Sequence, residues 1–344
     1  MPEKTKNVDK VAIAIKKIED SVVDIFSSDN FKNYLKTMSK FHNYSFGNQI
    51  LIRLQKPDAS LVAGFAAWKN AHNRHVNKGE KGIAILAPTI YKKKAEVEKQ
   101  DEFGNKIINP KTQKPETEIK EVSYTSFRVV NVFDISQTSG EPLPSLNVEK
   151  LQGESELSKT VLSSVREMAS EFNVVIGYAD PDDSTIKRGA NGYYVPNENI
   201  IVVNGDLSPD QQVKTIIHEI AHSVLHGDPA CNISREDKEI QAESTAFVVC
   251  EHFGLDSGQY SFNYVAGWAQ NKKPEELKKV LQSIHDSAQD IINRLEPIIN
   301  KKTKQLFETK EQEQTAKAIA ENFNVGNVGN SVASIKKKNY YDER

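Results

Sequence analysis

The stretch SPDQQVKTIIHEIAHSVLHG, residues 208–227, decides the fold of the second half of this 344-residue chain. Ser208 is a typical N-cap residue, and Pro209 suits the first turn of a helix. Gln211 stands three positions after the cap and completes a capping box. Gly227 provides a stop signal at the other end. The segment therefore predicts a long helix that begins after Ser208 and ends at Gly227.

Within that helix, the motif HEIAH at residues 218–222 predicts a metal centre. His218 and His222 are four positions apart, so both imidazoles leave the same face of the helix. Two neutral imidazoles suit Zn²⁺ or another divalent metal, and a catalytic site then needs one more protein ligand and an open position for water. Glu219 is the predicted catalytic base, because it can take a proton from that water. His226 extends the same face, but one straight helix cannot wrap three turns around one ion, so we expect it to pack behind the ligands.

The third ligand must come from another segment. A metzincin site would place Gly at 225 and His at 228, where this chain has Leu225 and Asp228, so that class is excluded. The segment EIQAE, residues 239–243, supplies Glu239 and Glu243 on one face of a second predicted helix. One carboxylate would bind the metal, and the other would hydrogen-bond a ligand histidine. The spacing alone leaves open which glutamate has which role.

The bulk composition is that of a globular protein, with 38% hydrophobic and 27% charged residues. No apolar run approaches the roughly 18 residues of a membrane span, so no membrane partner is expected. The charged N-terminal sequence MPEKTKNVDK lacks the apolar stretch of a secretory signal. Two cysteines give no disulfide framework. These features predict a cytoplasmic protein.

Charge is distributed unevenly along the chain. Residues 1–150 carry 24 Lys and Arg against 18 Asp and Glu, a balance of +6, and the remainder carries −8. This asymmetry indicates two domains with different tasks, and a Pro, Gly and Ser cluster near 140–155 marks the boundary. We therefore predict an α+β fold, with a mixed α/β domain over residues 1–147 and a mostly helical domain with a small sheet over 156–300. Residues 301–344 are predicted to form a helical or flexible tail.

Residues 92–121 differ from the segments around them. They are charged, with few large apolar side chains. They predict either the tip of a long hairpin or a partly disordered insertion, and the domain assignment treats them as a flexible insertion. The flanking segments GIAILAPTIY and SYTSFRVVNVFDISQT predict strands. The apolar run NQILIRL, residues 48–54, is compatible with either a helix or a strand.

The front half interleaves aromatic and basic residues in the segments HNYSFGNQILIRLQKPDA and GFAAWKNAHNRHVNKGEKG. Single-stranded nucleic acid favours this mixture, because cations follow the phosphates while rings stack on bases without reading their sequence. A second interpretation is equally physical: Phe65 and Trp68, three positions apart, would belong to the core, and the lysines would form a solvated face. The candidate DNA-binding residues are Tyr44, Phe46, Arg53, Lys56, Trp68, Lys69, Arg74, Lys78 and Lys81.

The second half resembles a known group of metallopeptidases. HEIAHSVLHGD followed by EIQAESTAF is similar to the gluzincin-type domains of the ImmA/IrrE group. In such sites the first acidic residue of the second helix is typically the ligand. The resemblance therefore implies Glu239 as the ligand and Glu243 as the partner of a ligand histidine. It also implies that the hairpin YYVPNENIIVV borders the cleft, where an edge strand would pair with an extended peptide substrate.

The front-half segments, together with VVNVFDISQTSGEPLP, resemble the N-terminal domain of the ArdC antirestriction proteins. The order of the two domains is also similar to that family, and the likeness covers about residues 10–300. It implies a bacterial protein of a plasmid, conjugative element or phage that binds single-stranded DNA without sequence preference. Such a protein would protect incoming DNA from host restriction. The alternative is an active zinc endopeptidase that cleaves a DNA-associated protein, such as a repressor or a restriction subunit.

Overall fold

The computed structural model describes residues 2–143, 154–228, 230–255, 260 and 262–338. The chain divides into two compact units. The first unit comprises Met1–Leu143 and Ser261–His285, and the second comprises Pro144–Tyr260 and Asp286–Arg344. This partition differs from the predicted one in placing residues 261–285 with the first unit. Most of the predicted boundary cluster lies outside the described residues.

The fold is α+β, which confirms the predicted class. The helices are α1 (Pro2–Ile25), α2 (Ser28–Lys40), α3 (Phe46–Gln55), α4 (Phe65–His72), α5 (Glu154–Ala169), α6 (Ser184–Lys187), α7 (Pro209–His226), α8 (Arg235–His252), α9 (Val265–Ala269) and α10 (Pro274–Lys338). The strands are β1 (Val62–Gly64), β2 (Arg74–Val76), β3 (Ile83–Glu98), β4 (Thr117–Asp134), β5 (Thr138–Gly140), β6 (Val175–Tyr178), β7 (Gly192–Val195) and β8 (Ile200–Val203). Helix α10 takes up most of the predicted tail, whose last six residues, 339–344, lie outside the described part. Among the described helices, none combines the length and the apolar character that a membrane span requires.

An antiparallel sheet with the strand order β1–β4–β3 lies at the centre of the first unit. The apolar run at 48–54 is a helix, α3, and its buried side contributes to the core against this sheet. The buried apolar residues of this core include Phe41, Ile52, Val62, Ile83, Ile85 and Val132. A separate two-stranded ribbon pairs β2 with β5.

Helix α3 also covers the open edge of β3. The side-chain amide of Asn48 donates to the carbonyl oxygen of Leu86 at 2.8 Å and accepts from its backbone N–H at 2.9 Å. Gln55 makes the same two contacts with Ala84, both at 2.9 Å. Each amide therefore pairs with β3 as a neighbouring strand would. These contacts satisfy backbone groups that an edge strand otherwise leaves open to other chains.

Strands β3 and β4 continue beyond the sheet as a long two-stranded arm. Their antiparallel pairing runs without interruption to Glu98 and Thr117, and further bridges lie closer to the tip. Residues 92–121 therefore form the outer part of a β-hairpin rather than the flexible insertion of the domain assignment. Most of these side chains are exposed, so backbone pairing and cross-strand ion pairs such as Lys92–Glu121 (3.4 Å) hold the arm together.

The second unit is built on a sheet with the order β6–β8–β7, in which β6 is parallel and β7 antiparallel to β8. Helix α7 contacts this sheet as well as α5 and α8. The predicted capping box is present: Ser208 Oγ accepts from the N–H of Gln211 at 3.3 Å, and Gln211 Oε1 accepts from the N–H of Ser208. Ile216, Ile217 and Ile220 are fully buried. These residues fix one side of α7 in the core, while His218, Glu219 and His222 are only partly buried.

The aromatic candidates for base stacking mostly lie in the interior of the first unit. Trp68 is fully buried, and its indole N–H donates to the carbonyl oxygen of Phe133 at 2.9 Å. Phe46 is 9% exposed, and the half-buried Tyr44 donates its hydroxyl to the carbonyl oxygen of Val62 at 2.9 Å. The stacking role predicted for Trp68 and Phe46 is therefore corrected to a core role, because their rings are buried, whereas the half-buried Tyr44 remains a candidate.

Truncation of Trp68 tests its place in the core. Trp68→Ala removes a fully buried ring and its hydrogen bond, so it should lower the free energy of unfolding by about 3–5 kcal/mol. The exposed neighbour gives a matched control, and Lys69→Ala should change that free energy by less than about 0.5 kcal/mol. Urea unfolding followed by circular dichroism measures both. Equal stability of the two variants would contradict the assignment.

Candidate functional site

Helices α7 and α8 bring the three predicted metal ligands into one cluster. The Nε2 atoms of His218 and His222 are 3.0 Å apart. Glu239 Oε2 lies 3.5 Å from Nε2 of His218 and 3.7 Å from Nε2 of His222. Ligand atoms held tetrahedrally at about 2.0–2.2 Å from an ion are separated from one another by about 3.4 Å. The spacing and the chemistry of the three donors therefore fit a divalent metal.

Glu243 occupies a different position from Glu239. Its Oε2 lies 3.3 Å from Nδ1 of His218, the nitrogen on the far side of the ring from the cluster. Its Oε1 lies 3.5 Å from Nζ of Lys214. A carboxylate at this position accepts an Nδ1–H, which leaves the lone pair of Nε2 for a metal. The geometry favours Glu239 as the ligand and Glu243 as the residue that orients His218.

A chain of two hydrogen bonds orients His222. Its Nδ1 lies 3.0 Å from Nδ1 of His226, and Nε2 of His226 lies 2.8 Å from Oε1 of Gln241. An amide oxygen only accepts, so His226 carries its proton on Nε2 and accepts at Nδ1. His222 then donates from Nδ1 and keeps the Nε2 lone pair on the side of the cluster. His226 therefore lies behind the ligands and fixes the tautomer of one of them.

The carboxylates set the electrostatics of the cluster. Burial alone would lower the pKa of His218, but hydrogen bonds with Glu239 and Glu243 outweigh it and raise that pKa to about 9. Hydrogen bonds with His218 and His222 hold the pKa of Glu239 far below its usual range. Negative charge is thus concentrated around two imidazoles, which is the environment that a bound cation requires.

Glu219 lies beside this cluster in the wall of a cleft of about 330 Å³. Burial raises the pKa of Glu219, and the nearby His218 and His222 oppose that shift. Its carboxylate also takes a hydrogen bond from the backbone of Tyr194 in β7. Residues 190–192 line the cleft opposite the residues of α7. The base predicted from the motif therefore faces a space that a substrate can enter.

Gly192 permits the close approach of β7 to α7 that forms this cleft. A Cβ at this position would lie 2.6 Å from Cγ2 of Thr215 and 2.7 Å from the carbonyl oxygen of Val202. No side chain fits there, so only glycine allows the strand to lie so close. Strand β7 pairs with β8 along one side and forms an edge of its sheet. An edge strand, β7, therefore lies beside the cleft, where the resemblance to the ImmA/IrrE group implied one.

Comparison with known proteins identifies both domains. Residues 3–133 match the family model described as the N-terminal domain of anti-restriction factor ArdC. Residues 169–250 match the model of a peptidase family described as the IrrE N-terminal-like domain. The chain thus carries a domain of the ArdC N-terminal type followed by an IrrE-like peptidase domain. Both predicted resemblances are confirmed, and the two matched segments are called the ArdC-type domain and the IrrE-like domain from here on.

The individual proteins that match this chain share less than 30% sequence identity with it. An uncharacterized protein of Bacillus anthracis is 29% identical over 329 residues, which cover 90% of this chain and 54% of the relative. The chain thus spans about half the length of that protein. Two crystal structures of the antirestriction ArdC protein from plasmid R388 also match. The metal-free structure is 20% identical with a TM-score of 0.40, and the Mn(II)-bound structure is 17% identical with a TM-score of 0.39. Each match covers 74% of this chain and 85% of the R388 chain.

Two of the predicted DNA-binding cations in the ArdC-type domain are engaged within the protein. The guanidinium of Arg74 donates to Thr138 and to the carbonyl oxygens of Gly140 and Glu141. Arg74 thus clamps the ribbon of β2 and β5, which corrects its predicted role as a phosphate contact. Lys56 pairs with the adjacent carboxylate of Asp58 at 2.9 Å.

The remaining predicted cations stay available to a partner. Lys69, Lys78 and Lys81 are exposed, and within the described residues their ammonium groups form no ion pair. Arg53 is half-buried and lines a pocket of the first unit. These four residues remain candidates for contact with nucleic acid.

Two residues of the site escaped the sequence analysis. Lys214 lines the cleft, and its Nζ lies 3.6 Å from the ring centroid of Tyr260 as well as beside Glu243. The signal was available, because Lys214 stands four positions before His218 on the same face of α7. Gln241 gave no such signal, because its contact with His226 depends on how two helices pack.

Metal affinity tests the roles given to these side chains. Glu239→Ala should abolish tight binding of Zn²⁺, because it removes a ligand. Gln241→Ala should weaken binding by about 10–100-fold, because His226 loses the acceptor that fixes it against His222. Glu198→Ala, at an exposed position of the same domain, should leave the affinity unchanged. Competition with a chelator provides the measurement, and wild-type affinity in Glu239→Ala would overturn the ligand assignment.

Proposed function

We propose that this ArdC-type protein binds single-stranded DNA without sequence preference and protects the incoming DNA of a mobile genetic element from restriction. The match of residues 3–133 to the ArdC N-terminal domain supports the antirestriction role. The proposal places this activity in the bacterial cytoplasm. It also gives the IrrE-like domain a bound Zn²⁺, because two imidazoles and one carboxylate form the donor set.

One face of the β3–β4 arm carries the DNA-binding proposal. Tyr91 and Tyr124 lie opposite each other with ring centroids 5.6 Å apart, and they are 49% and 38% exposed. The register places Lys93 one step further out on this face and Arg128 two steps further in. Both cations are exposed and have no ion-pair partner within the described part of the chain. Rings flanked by cations suit single-stranded DNA, because bases stack on the rings and phosphates follow the cations.

The other face of the arm lacks this arrangement. Lys92 and Lys94 lie there together with Glu121, and Glu121 pairs with Lys92 at 3.4 Å. A cation that already has a carboxylate partner attracts phosphates less strongly, and Lys94 lies opposite the same carboxylate in the register, so two lysines share Glu121 on this face, which has no pair of stacked rings. We call the set Tyr91, Lys93, Tyr124 and Arg128 the tyrosine face. The exposed lysines at 69, 78 and 81 complete the proposed DNA-binding surface.

Proteolysis is the second candidate function, and the cleft beside the metal cluster favours it. His218, His222 and Glu239 would hold the metal, which when bound supplies the Lewis acidity that makes water a nucleophile at neutral pH. Glu219 lies where it can take the proton of that water and pass it to the leaving amine. The open edge of β7 would align an extended peptide through backbone hydrogen bonds. A DNA-associated protein, such as a repressor or a restriction subunit, is the proposed substrate.

Binding of a labelled oligothymidine tests the tyrosine face. Affinity should fall steeply with salt, and Arg128→Ala should reduce the slope of log K against log salt by about 0.7, because one phosphate contact is lost. Tyr91→Ala should weaken binding by about 5–150-fold at every salt concentration, because a stacked base loses its ring. Fluorescence anisotropy measures both effects.

The opposite face of the arm supplies the control for that experiment. Lys92→Ala removes a cation that is already paired with Glu121, so affinity and slope should stay close to the wild type. Equal effects of Lys92→Ala and Arg128→Ala would show that the arm contributes only net charge. Absence of binding at low salt would remove the DNA-binding proposal.

Proteolysis is tested with Glu219→Gln on a library of cellular peptides analysed by mass spectrometry. The substitution removes the base but no metal ligand, so cleavage should fall by about 10²–10⁴-fold while the bound metal is retained. Glu198→Gln, an exposed change of the same type in the IrrE-like domain, should cleave as the wild type does. Cleavage that is equally fast in Glu219→Gln would exclude this mechanism.

A further inference from the structure

A pocket of about 340 Å³ opens among α1, α2 and α3 in the first unit. Its apolar walls include Ile25, Ile50 and Leu54, and its polar lining includes Asp24 and Arg53. This volume lies within the range of about 300–1,000 Å³ that small-molecule sites occupy. Apolar walls with a few polar groups are also the usual composition of such sites. Neither the metal centre nor the tyrosine face includes any of these residues.

Arg53 is the group in this pocket whose hydrogen-bonding capacity the fold leaves largely unused. A guanidinium has five N–H donors, and in Arg53 the contact from Nη1 reaches the hydroxyl of Thr37 at the long distance of 3.4 Å. No carboxylate forms an ion pair with it within the described residues. Burial lowers the pKa of Arg53, because the charged guanidinium loses part of its hydration in the pocket. A ligand that supplies acceptors would compensate this cost.

Tyr34 lines the same pocket, but its hydroxyl is not a donor for a ligand. Its hydroxyl lies 3.1 Å from the carbonyl oxygen of Phe46 and 3.2 Å from Oε1 of Gln49, so its proton is used within the protein. The side chain of Tyr34 is fully buried.

Ser21 and Asn30 also line the pocket, and each donates to a backbone carbonyl oxygen, that of Lys17 at 2.8 Å and that of Asp24 at 3.2 Å. The charged groups that the pocket offers to a ligand are the guanidinium of Arg53 and the exposed carboxylate of Asp24.

Asp24 decides which class of ligand fits. A phosphate would gain from Arg53 but would be repelled by the carboxylate of Asp24. A nucleobase suits both groups, because it carries acceptors and donors around a flat apolar ring. Guanine suits them best, since its O6 and N7 accept a bidentate pair from arginine and its N2 amino group donates to an acceptor. We propose that this pocket binds a single guanine base.

The base can come from two sources that share this chemistry. One source is a guanine splayed out of bound single-stranded DNA. In that case the proposal rests on the DNA-binding function and adds a base preference at one position of an otherwise non-specific site. The other source is a free guanine nucleotide, and that case is independent of DNA binding.

Oligonucleotide binding tests the first source. The full-length protein is titrated with a labelled oligothymidine and with the same strand carrying one central dG or dA. The dG strand should bind about 5–150-fold more tightly than the other two. Arg53→Met should bind the dG strand no more tightly than it binds plain oligothymidine, whatever its affinity for the latter, and Asp24→Asn should reduce the advantage of the dG strand. Lys40→Ala, an exposed change on α2, serves as the control and should keep the advantage.

Calorimetric titration with guanosine 5′-monophosphate, adenosine 5′-monophosphate and inorganic phosphate tests the second source. Guanosine 5′-monophosphate that binds to the wild type and to Lys40→Ala but not to Arg53→Met would support the pocket even if oligothymidine did not bind at all. Failure of the DNA-binding proposal is thus distinguishable from failure of this one.

Three results would overturn the guanine proposal. The first is the absence of any preference for dG or guanosine 5′-monophosphate over the adenine forms. The second is inorganic phosphate that competes as well as the nucleotide. The third is an Arg53→Met protein, shown by circular dichroism to be folded, that keeps the preference.

Discussion

The packing of α7 on α8 is the contact on which the metal centre depends. Neither helix supplies a complete donor set, because α7 contributes two imidazoles and α8 contributes one carboxylate. Three further polar contacts cross the same interface, from His218 and Lys214 to Glu243 and from His226 to Gln241. A displacement of α8 by half a turn along its axis would separate Glu239 and Glu243 from their present partners together. The register between α7 and α8 therefore determines the geometry of the metal ligands.

Helix α8 has small side chains among its fully buried residues. Ala242 and Ala246 are fully buried, and short side chains at such positions let two helices approach closely. In the packed pair of helices, Glu239 lies within 4 Å of two imidazoles, and its side chain is still partly exposed to solvent. The core of the second unit thus positions the site, and the side chains of His218 and His222 are only 18% and 19% exposed.

The parts of the site that follow a helical repeat could be predicted from the sequence. His218 and His222 share a face by spacing alone, and the capping box fixes where α7 begins. Glu239 and Glu243 were indistinguishable by spacing, because the choice depends on how far each carboxylate lies across the interface. Gln241 was missed for the same reason. Periodicity describes one helix at a time and carries no information about the angle at which two helices cross.

The front half was harder to predict, since composition does not reveal which way a side chain points. A buried Trp68 and an exposed stacking ring have the same signature in the sequence. Arg74 and Lys78 looked equivalent, yet one is held by the ribbon of β2 and β5 and the other is exposed. The charged arm of β3 and β4 resembled an insertion because backbone pairing, which leaves no composition signal, holds it in place.

The assignment of residues 261–285 to the first unit means that the chain passes from one unit to the other three times. The rings of Phe262 and Trp268 lie 5.3 Å from Phe31 and 5.7 Å from Phe26, so this returning segment belongs to the core that α1 and α2 begin. The first unit is therefore built from two separate segments of the chain, although the two matched domains follow one another along the sequence. Recombination at a single breakpoint would not transfer either unit whole. A fragment that ends at residue 143 would keep Phe26 and Phe31 but lose Phe262 and Trp268, the rings that pack against them.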